Sequence, residues 1–441
     1  MLTKEQNDLL TLTGPGTPGG DLLRRYWQPI ALAKEIPQGG APLPIDALGE
    51  RLVLFRDEAG RLGLLHRHCP HRGADLSFGR LEDGGLRCLY HGWLFDVNGK
   101  CLDQPAEPEG STFKDKICQQ SYPVVERGNG IWAYMGPGEP PLFPNYDIFL
   151  YPESHIHTRK VFKECNYLQA NEGNYDPAHV GFLHHSNQKL NDSGLVFGKM
   201  RTYGKVDITD AAVNPFQTPR IKFEETPFGL RIFQIRDGGP NKTYLRATTF
   251  GMPNFSVIAG PQGGNGHVGI WHVPINDHCH WRYGFLLRRD RPVAEAAVED
   301  KEDSPSLQPR DPAYYEDEFH HRPKLANRYF QDRSKMHESY TGMGSNFGVH
   351  DAFATESQGA IQDRTREHLG KTDIAIGAAR RLMLRGIADV QAGKDPQGVV
   401  RSEADNDFHD MVSFDVLVED GADYSDVVRA VTSKMDVIAA E

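Results

Sequence analysis

The chain lacks any apolar run close to the about 20 residues that the hydrocarbon core of a bilayer requires, so no membrane span is expected. Positive charge is also short: the formal net charge is -11. Affinity for nucleic acid rests on neutralising phosphates with Lys and Arg, so no nucleic-acid partner is expected. Residues 1–12 carry Lys4, Glu5 and Asp8 in place of a basic cluster followed by an apolar run. They do not read as a secretory leader, and a cytoplasmic location is expected. Cysteine is sparse, six in all, at positions 69, 88, 101, 118, 165 and 279. That uneven spread is a poor disulfide framework and points to reduced thiols and metal ligation. There is no internal repeat, and no Gly-rich dinucleotide fingerprint that would hold NAD(P)H or a flavin.

What is present suits a water-soluble protein of more than one domain: 441 residues, 39% hydrophobic and 25% charged. Gly and Pro cluster from Gly14 to Gly20, and an amphipathic stretch through Leu22, Leu23, Tyr26 and Trp27 predicts a loop and then a short helix. From Arg51 to Gly138 the pattern is that of strands. Leu52, Leu54 and Phe55 precede a turn at Asp57–Gly60 and a second strand through Leu62, Leu64 and Leu65. Trp93–Val97 followed by Asn98-Gly99 predicts a hairpin with a two-residue type I′ turn. A break at Gly136–Pro141 sets the domain limits: an N-terminal segment 1–25, a first domain 26–138 and a second domain 139–441. The second domain mixes strands, at Gly229–Ile235, Thr243–Phe250 and Trp281–Leu287, with helices, the clearest at Ile374–Val390. Between Arg289 and Ser339 the chain is charged and aperiodic, which predicts a long and mobile surface excursion.

The most specific feature is a pair of metal-ligand arms, Cys69-Pro70-His71-Arg72-Gly73 and Cys88-Leu89-Tyr90-His91-Gly92-Trp93, with sixteen residues between His71 and Cys88. Thiolates stabilise ferric iron, and imidazoles on a second iron raise the potential, so the mixed set suits a 2Fe-2S electron relay of the Rieske type. A structural zinc site also takes two Cys and two His, but its arms usually bring like ligands. Gly73 and Gly92 would let the backbone bend sharply after each ligand pair. The arms lack the additional cysteine pair of respiratory Rieske proteins, which argues for a soluble cluster of lower potential.

A second site is suggested by Asp176-Pro-Ala-His179-Val-Gly-Phe-Leu-His184. Five residues separate the histidines by about 140° on a regular helix, so they would not converge there. Gly181 between them permits a bend or π-type bulge. Two imidazoles and one carboxylate would form the face that leaves positions open on a non-haem iron, the carboxylate coming from elsewhere in the chain. An electron relay needs such an acceptor.

With these features the chain resembles the aromatic-ring-hydroxylating oxygenase α subunits of the phthalate dioxygenase-like branch over nearly its whole length. The resemblance rests on Gly14-Pro-Gly-Thr-Pro18 with Tyr26-Trp27, both Cys/His arms, and Asp176-x2-His179-x4-His184. It implies an α+β chain: an all-β Rieske domain, with Cys69, His71, Cys88 and His91 on the 2Fe-2S cluster, and a helix-grip catalytic domain of antiparallel sheet and long C-terminal helix. In that domain His179, His184 and Asp351 would hold Fe(II), with Asp363, Glu356 and Glu172 as alternatives to Asp351. Asp176 would bridge His179 to His91 of a neighbouring copy in a homotrimer or hexamer. Electrons would come from NAD(P)H through a separate flavin/iron-sulfur reductase. The implied reaction is mono- or cis-dihydroxylation or O-demethylation of a phthalate-like, benzoate-like or phenoxybenzoate-like acid. Arg220 and Arg246, on strands expected to line the cavity, are candidates to hold its carboxylate. The alternative is a Rieske electron carrier whose second half has lost its iron.

Overall fold

The computed structural model describes residues 1–184, 218–259, 266–299 and 307–439. The strand-rich first third forms three small antiparallel sheets. One orders β1 (Trp27–Leu32), β11 (Gly130–Tyr134) and β10 (Val124–Arg127). A second orders β2 (Leu43–Ala47), β3 (Glu50–Arg56), β4 (Leu62–His66) and β9 (Ser121–Tyr122), and a third β5 (Arg80–Glu82), β6 (Gly85–Arg87), β7 (Leu94–Phe95) and β8 (Cys101–Asp103). Val53, Phe55, Leu65, Leu86, Trp93 and Phe95 build a core between the last two sheets, and Cys69 and Cys88 belong to it.

Two local expectations change. The helix α2 (Pro18–Arg24) starts within the Gly/Pro cluster, because Thr17 caps it and Pro18 suits its first turn. Trp27 instead opens β1, held there by its indole N–H donating to the Pro141 carbonyl at 3.0 Å. The hairpin between β7 and β8 forms, but Gly99 and not Asn98 has positive φ. The Asp96 carboxylate makes the turn, accepting from the amides of Asn98 and Lys100.

The second part is one eight-stranded antiparallel sheet, ordered β12 (Ile156–Lys163), β18 (Cys279–Leu287), β17 (His267–Asn276), β16 (Phe255–Ala259), β15 (Lys242–Gly251), β14 (Gly229–Asp237) and β13 (Arg220–Thr226), with β19 (Phe414–Glu419) paired to β15. β14 is buried along most of its length because both of its faces are covered. Leu230 and Ile232 pack with Leu382 and Met383 of α7 (Ile374–Gln391), whereas Phe233 and Ile235 pack with Val428 and Val431 of α8 (Tyr424–Ala439). The long helix is thus the one expected from periodicity, and α8 on the opposite face was not foreseen. Leu52, Leu54 and Ile131 of the first part share a core with Leu230 and Leu382 of the second, so the small sheets are anchored on the large unit. Residues 300–306 of the expected excursion lie outside the described residues, but its later part is built into the fold. Tyr315 and Tyr329 are buried, and Phe162 of β12 donates its amide to the Phe319 carbonyl. Among the described residues no helix is long and apolar enough to cross a membrane.

Helix α3 (Tyr167–Asn174), which leads into the Asp176–His184 segment, is tied to α7 by buried charge. Glu172 accepts from Arg364 at 2.8 Å and from Arg380 at 2.6 Å. Burial alone would raise the Glu172 pKa, but the two guanidiniums outweigh it and hold the carboxyl below its ordinary value. Glu172→Gln is expected to destabilise the fold by about 3–5 kcal/mol, since it leaves buried cations short of a partner. Because the folded pKa is the depressed one, this contribution is complete above the ordinary carboxyl value near 4.5 and fades as pH falls through the folded value. Chemical denaturation across acidic pH checks both points, and a pH profile unchanged in the variant would exclude this origin.

Candidate metal centres

Both Cys/His arms are tight loops. The amide of Gly73 donates to the carbonyl of Cys69, and that of Gly92 to the carbonyl of Cys88, so the two turns are equivalent. Each glycine has positive φ, 75° and 77°, where a side chain would be strained, and a Cβ at Gly92 would also strike Pro105. The loops point four donors at one place. Cys69 and Cys88 are buried side by side, and burial, reinforced by Cys88, pushes the Cys69 thiol up to about 12. The His71 and His91 rings lie 4.4 Å apart, His71 exposed and stacked flat on Trp93 at 4.5 Å. Thiols inside and imidazoles toward solvent fit a cluster with Cys on the inner iron and His on the outer one. Two adjacent buried thiols gain most from a cation that takes them as thiolates.

The second centre forms where α3 ends. His179 and His184 flank the single turn α4 (Val180–Leu183), and the amide of Leu183 donates to the carbonyl of His179 at 2.8 Å. The histidines converge because the helix stops after one turn, not through a bulge at Gly181. Their rings lie 5.3 Å apart. α6 (Phe347–Glu356), capped by Asn346, brings Asp351 to them, and one ligand atom from each of His179, His184 and Asp351 lies within 4.8 Å of the others. The three other acids are engaged elsewhere. Asp363 accepts from Thr365 at the surface, Glu356 from the hydroxyl of Tyr329, and Glu172 from its two arginines.

Hydrogen bonding around the triad sets the donor atoms. His350 donates from Nε2 to the Gly344 carbonyl at 3.0 Å, which leaves its Nδ1 as an acceptor for His184 Nδ1–H at 3.3 Å. His184 Nε2 then carries a bare lone pair, 3.1 Å from Asp351 Oδ1. Two electron-rich atoms face each other across the space where a cation belongs. Burial would raise the Asp351 pKa, but a protonated His184, and after it His179 and Lys163, would hold it far below the ordinary carboxylate range. Asp176 Oδ2 lies 3.6 Å from His179 Nδ1, while Asp176 Oδ1 accepts from the amide of Ala178 at 2.8 Å. Burial would lower the His179 pKa, but Asp176 and then Asp351 raise it. Asp351 and His179 keep 45% and 23% of their side-chain surface accessible, so the triad opens on a space that a ligand can reach. The donor set and geometry fit a two-histidine, one-carboxylate metal site.

The structure does not bring the two candidate arginines to this centre as expected. Arg220 is exposed and pairs in register with Ile235, whose side chain faces α8, so it sits on the side away from the triad. Arg246 is on the triad's side, yet Asp415 Oδ1 lies 3.4 Å from its guanidinium and compensates its charge. Sequence reasoning also missed a chain of polar groups beneath the triad. Asn174 donates to His272 Nε2, His272 Nδ1 donates to His280 Nε2, and His280 Nδ1 donates to the Cys165 carbonyl at 2.8, 2.9 and 2.7 Å. Its only signal was two histidines on the same face of neighbouring strands.

Residues 26–123 match the Rieske [2Fe-2S] domain family, and residues 133–439 match the family described as LigXa C-terminal domain like. The chain is 34% identical to the 5,5'-dehydrodivanillate O-demethylase oxygenase subunit of Sphingobium sp. (strain NBRC 103272 / SYK-6), covering 92% of this chain and 85% of that one. It is also 34% identical to the phenoxybenzoate dioxygenase subunit alpha of Ectopseudomonas oleovorans, over 90% of this chain and 88% of that one. Among solved structures it shares its fold with the oxygenase in the reduced oxygenase–ferredoxin complex of carbazole 1,9a-dioxygenase. There the TM-score is 0.56 at 18% identity, with 91% of this chain and 97% of that chain covered.

Proposed function

The chain belongs to the Rieske non-haem iron oxygenases, as an α subunit of the phthalate dioxygenase-like branch, and on that premise we propose that it hydroxylates or O-demethylates an aromatic acid. The observation that carries the reading is the convergence of His179, His184 and Asp351 on one open point in the same chain as the four Rieske donors. Cys69, His71, Cys88 and His91 would hold the 2Fe-2S cluster, and the triad the Fe(II). When bound, the cluster supplies single electrons and the iron activates O2 toward the substrate.

The protein's own part is positioning. His350 fixes the His184 ring with Nε2 toward the triad, and Asp176, whose Oδ2 lies 3.6 Å from His179 Nδ1, is placed to orient His179 by closing on that nitrogen. His71 and His91, on the outside of the relay, are placed to meet another protein surface. In our reading that surface is the Asp176 edge of a neighbouring copy in a homotrimer or a pair of trimers. Asp176 then joins His91 of one copy to His179 of the next, which supplies a short path for electrons. We divide the chain after Gly138, with residues 26–138 as relay and 139–441 as catalytic domain.

Electrons would reach the relay from NAD(P)H through a separate protein; support comes from relatives named as oxygenase subunits and from a fold neighbour seen with a ferredoxin. The named substrates of the two relatives, dehydrodivanillate and phenoxybenzoate, are both aromatic acids. Incubation of the iron-loaded protein with a surrogate reductase, NADH and a panel of aromatic acids is expected to give a hydroxylated or demethylated product from at least one of them. O2 consumption that no aromatic acid stimulates and no product accompanies would sink this reading.

A further inference from the structure

At the β12 edge of the catalytic sheet, on the triad's side, lie three arginines that form no ion pair with a carboxylate among the described residues. Arg159 and Arg282 share a face, since Arg159 pairs with Gly284 and Val161 with Arg282. The missing side chain of Gly284 leaves room for Arg159, whose Cγ lies 3.7 Å from where a Cβ would stand. Arg310 comes from the chain that folds over this edge. Its Nη1 donates to the hydroxyl of Tyr315 at 2.9 Å, its guanidinium lies 4.3 Å from the centre of that ring, and its Nη2 is buried with no partner among the described residues. Among the described residues Arg159 reaches only the ring of His157, at 3.3 Å. Arg282 makes no hydrogen bond or ion pair with any described residue.

The three charges are close enough to act on one another. Burial, and after it Arg310, lowers the Arg159 pKa to about 9, and Arg310 weighs on Arg282 as well. Asp351 is the anion that Arg282 feels most, but it lies beyond ion-pair reach and faces His184. The amine of Lys163 is buried beside them and among the described residues donates only to the Gly348 carbonyl, one turn before Asp351 in α6. Half-buried cations with no counter-ion among the described residues are costly, and three that repel one another are more so. Guanidinium is also the side chain whose donors match an oxyanion two at a time. Arg282 and Asp351 both keep part of their surface accessible, so a small ligand can reach the crevice between them.

We propose that Arg159, Arg282 and Arg310 form an anion subsite beside the iron triad, which takes the carboxylates of an aromatic polyacid and so turns its ring toward His179, His184 and Asp351. The proposal rests on the aromatic-acid reading above and deepens it. It replaces Arg220 and Arg246 as the carboxylate-holding residues. More than one positive charge in the crevice favours a benzene dicarboxylate over a benzoate, and either over a neutral amide.

Calorimetric titration of the iron-loaded full chain with benzene-1,3-dicarboxylate, benzoate and benzamide tests this. The wild-type protein is expected to bind them in that order of affinity. Arg282→Gln is expected to weaken both acids by about 10- to 100-fold, the usual effect of removing a charged hydrogen-bond donor, and to leave benzamide unchanged. Arg310→Gln, on the covering chain and not in a strand, should act in the same direction and serves if Arg282→Gln does not fold. Arg282→Lys should recover part of the loss. Acids that bind both glutamine variants as they bind the wild type would overturn the subsite while leaving the aromatic-acid reading intact. A wild-type protein that binds no aromatic acid and turns none over would overturn both.

Discussion

Asp351→Ala is expected to abolish turnover and to remove one iron per chain, leaving the visible spectrum of the Rieske cluster as it was. The carboxylate is the only anion of the triad, and its oxygen faces the bare Nε2 of His184 at 3.1 Å. Without it two imidazoles remain, one in a tautomer set by His350 and the other beside Asp176, and neither offers the charge that holds a divalent ion. The loss is local, because among the described residues Asp351 makes no hydrogen bond or ion pair with the relay loops of its own chain, and Cys69 and Cys88 lie in the separate core of Val53, Phe55 and Leu65. Metal analysis with parallel turnover and absorption spectra reads all three quantities. Retained iron and activity would exclude Asp351 as a ligand.

Asp176→Asn is the second large effect, and it should separate metal binding from electron delivery. Both metals are expected to stay bound, since Asp176 touches neither set of donors except through His179 Nδ1. Orientation of His179 alone is worth about 10- to 100-fold in activity, and turnover should fall further if the carboxylate also joins His179 to His91 of a neighbouring copy. The decisive readout is a single turnover: fully reduced protein with substrate and O2 should keep its cluster reduced far longer than the wild type does. A variant whose cluster reoxidises at the normal rate would remove the bridge from this account.

The Rieske domain was legible in the sequence because its candidate ligands are local: each arm brings its Cys, its His and its bending Gly within five residues. His179 and His184 were legible for the same reason, although the device that converges them, a helix that stops after one turn, has no residue signature. Asp351 depended on the family pattern, because only the folded sheet carries α6 to the end of α3. His350 escaped notice since its role follows from the Gly344 carbonyl, which composition does not reveal. The arginines failed for reasons of register and long-range pairing. Whether a strand residue faces the cavity changes with every step along the chain, which places Arg220 on the α8 side. The partner that compensates Arg246, Asp415, arrives on β19, far along the sequence. Arg310 lies in the charged stretch that periodicity marked as a surface excursion, and the buried contacts of Tyr315 and Tyr329 show why it is not one.

The account stands or falls on two kinds of iron in one chain. Purified protein examined by elemental analysis and by electron paramagnetic resonance, before and after nitric oxide is added, should hold the two irons of a Rieske-type cluster together with a ferrous ion that nitric oxide reveals. Zinc in place of iron at the Cys/His loops, or a cluster signal with no additional ferrous ion to bind nitric oxide, would contradict it.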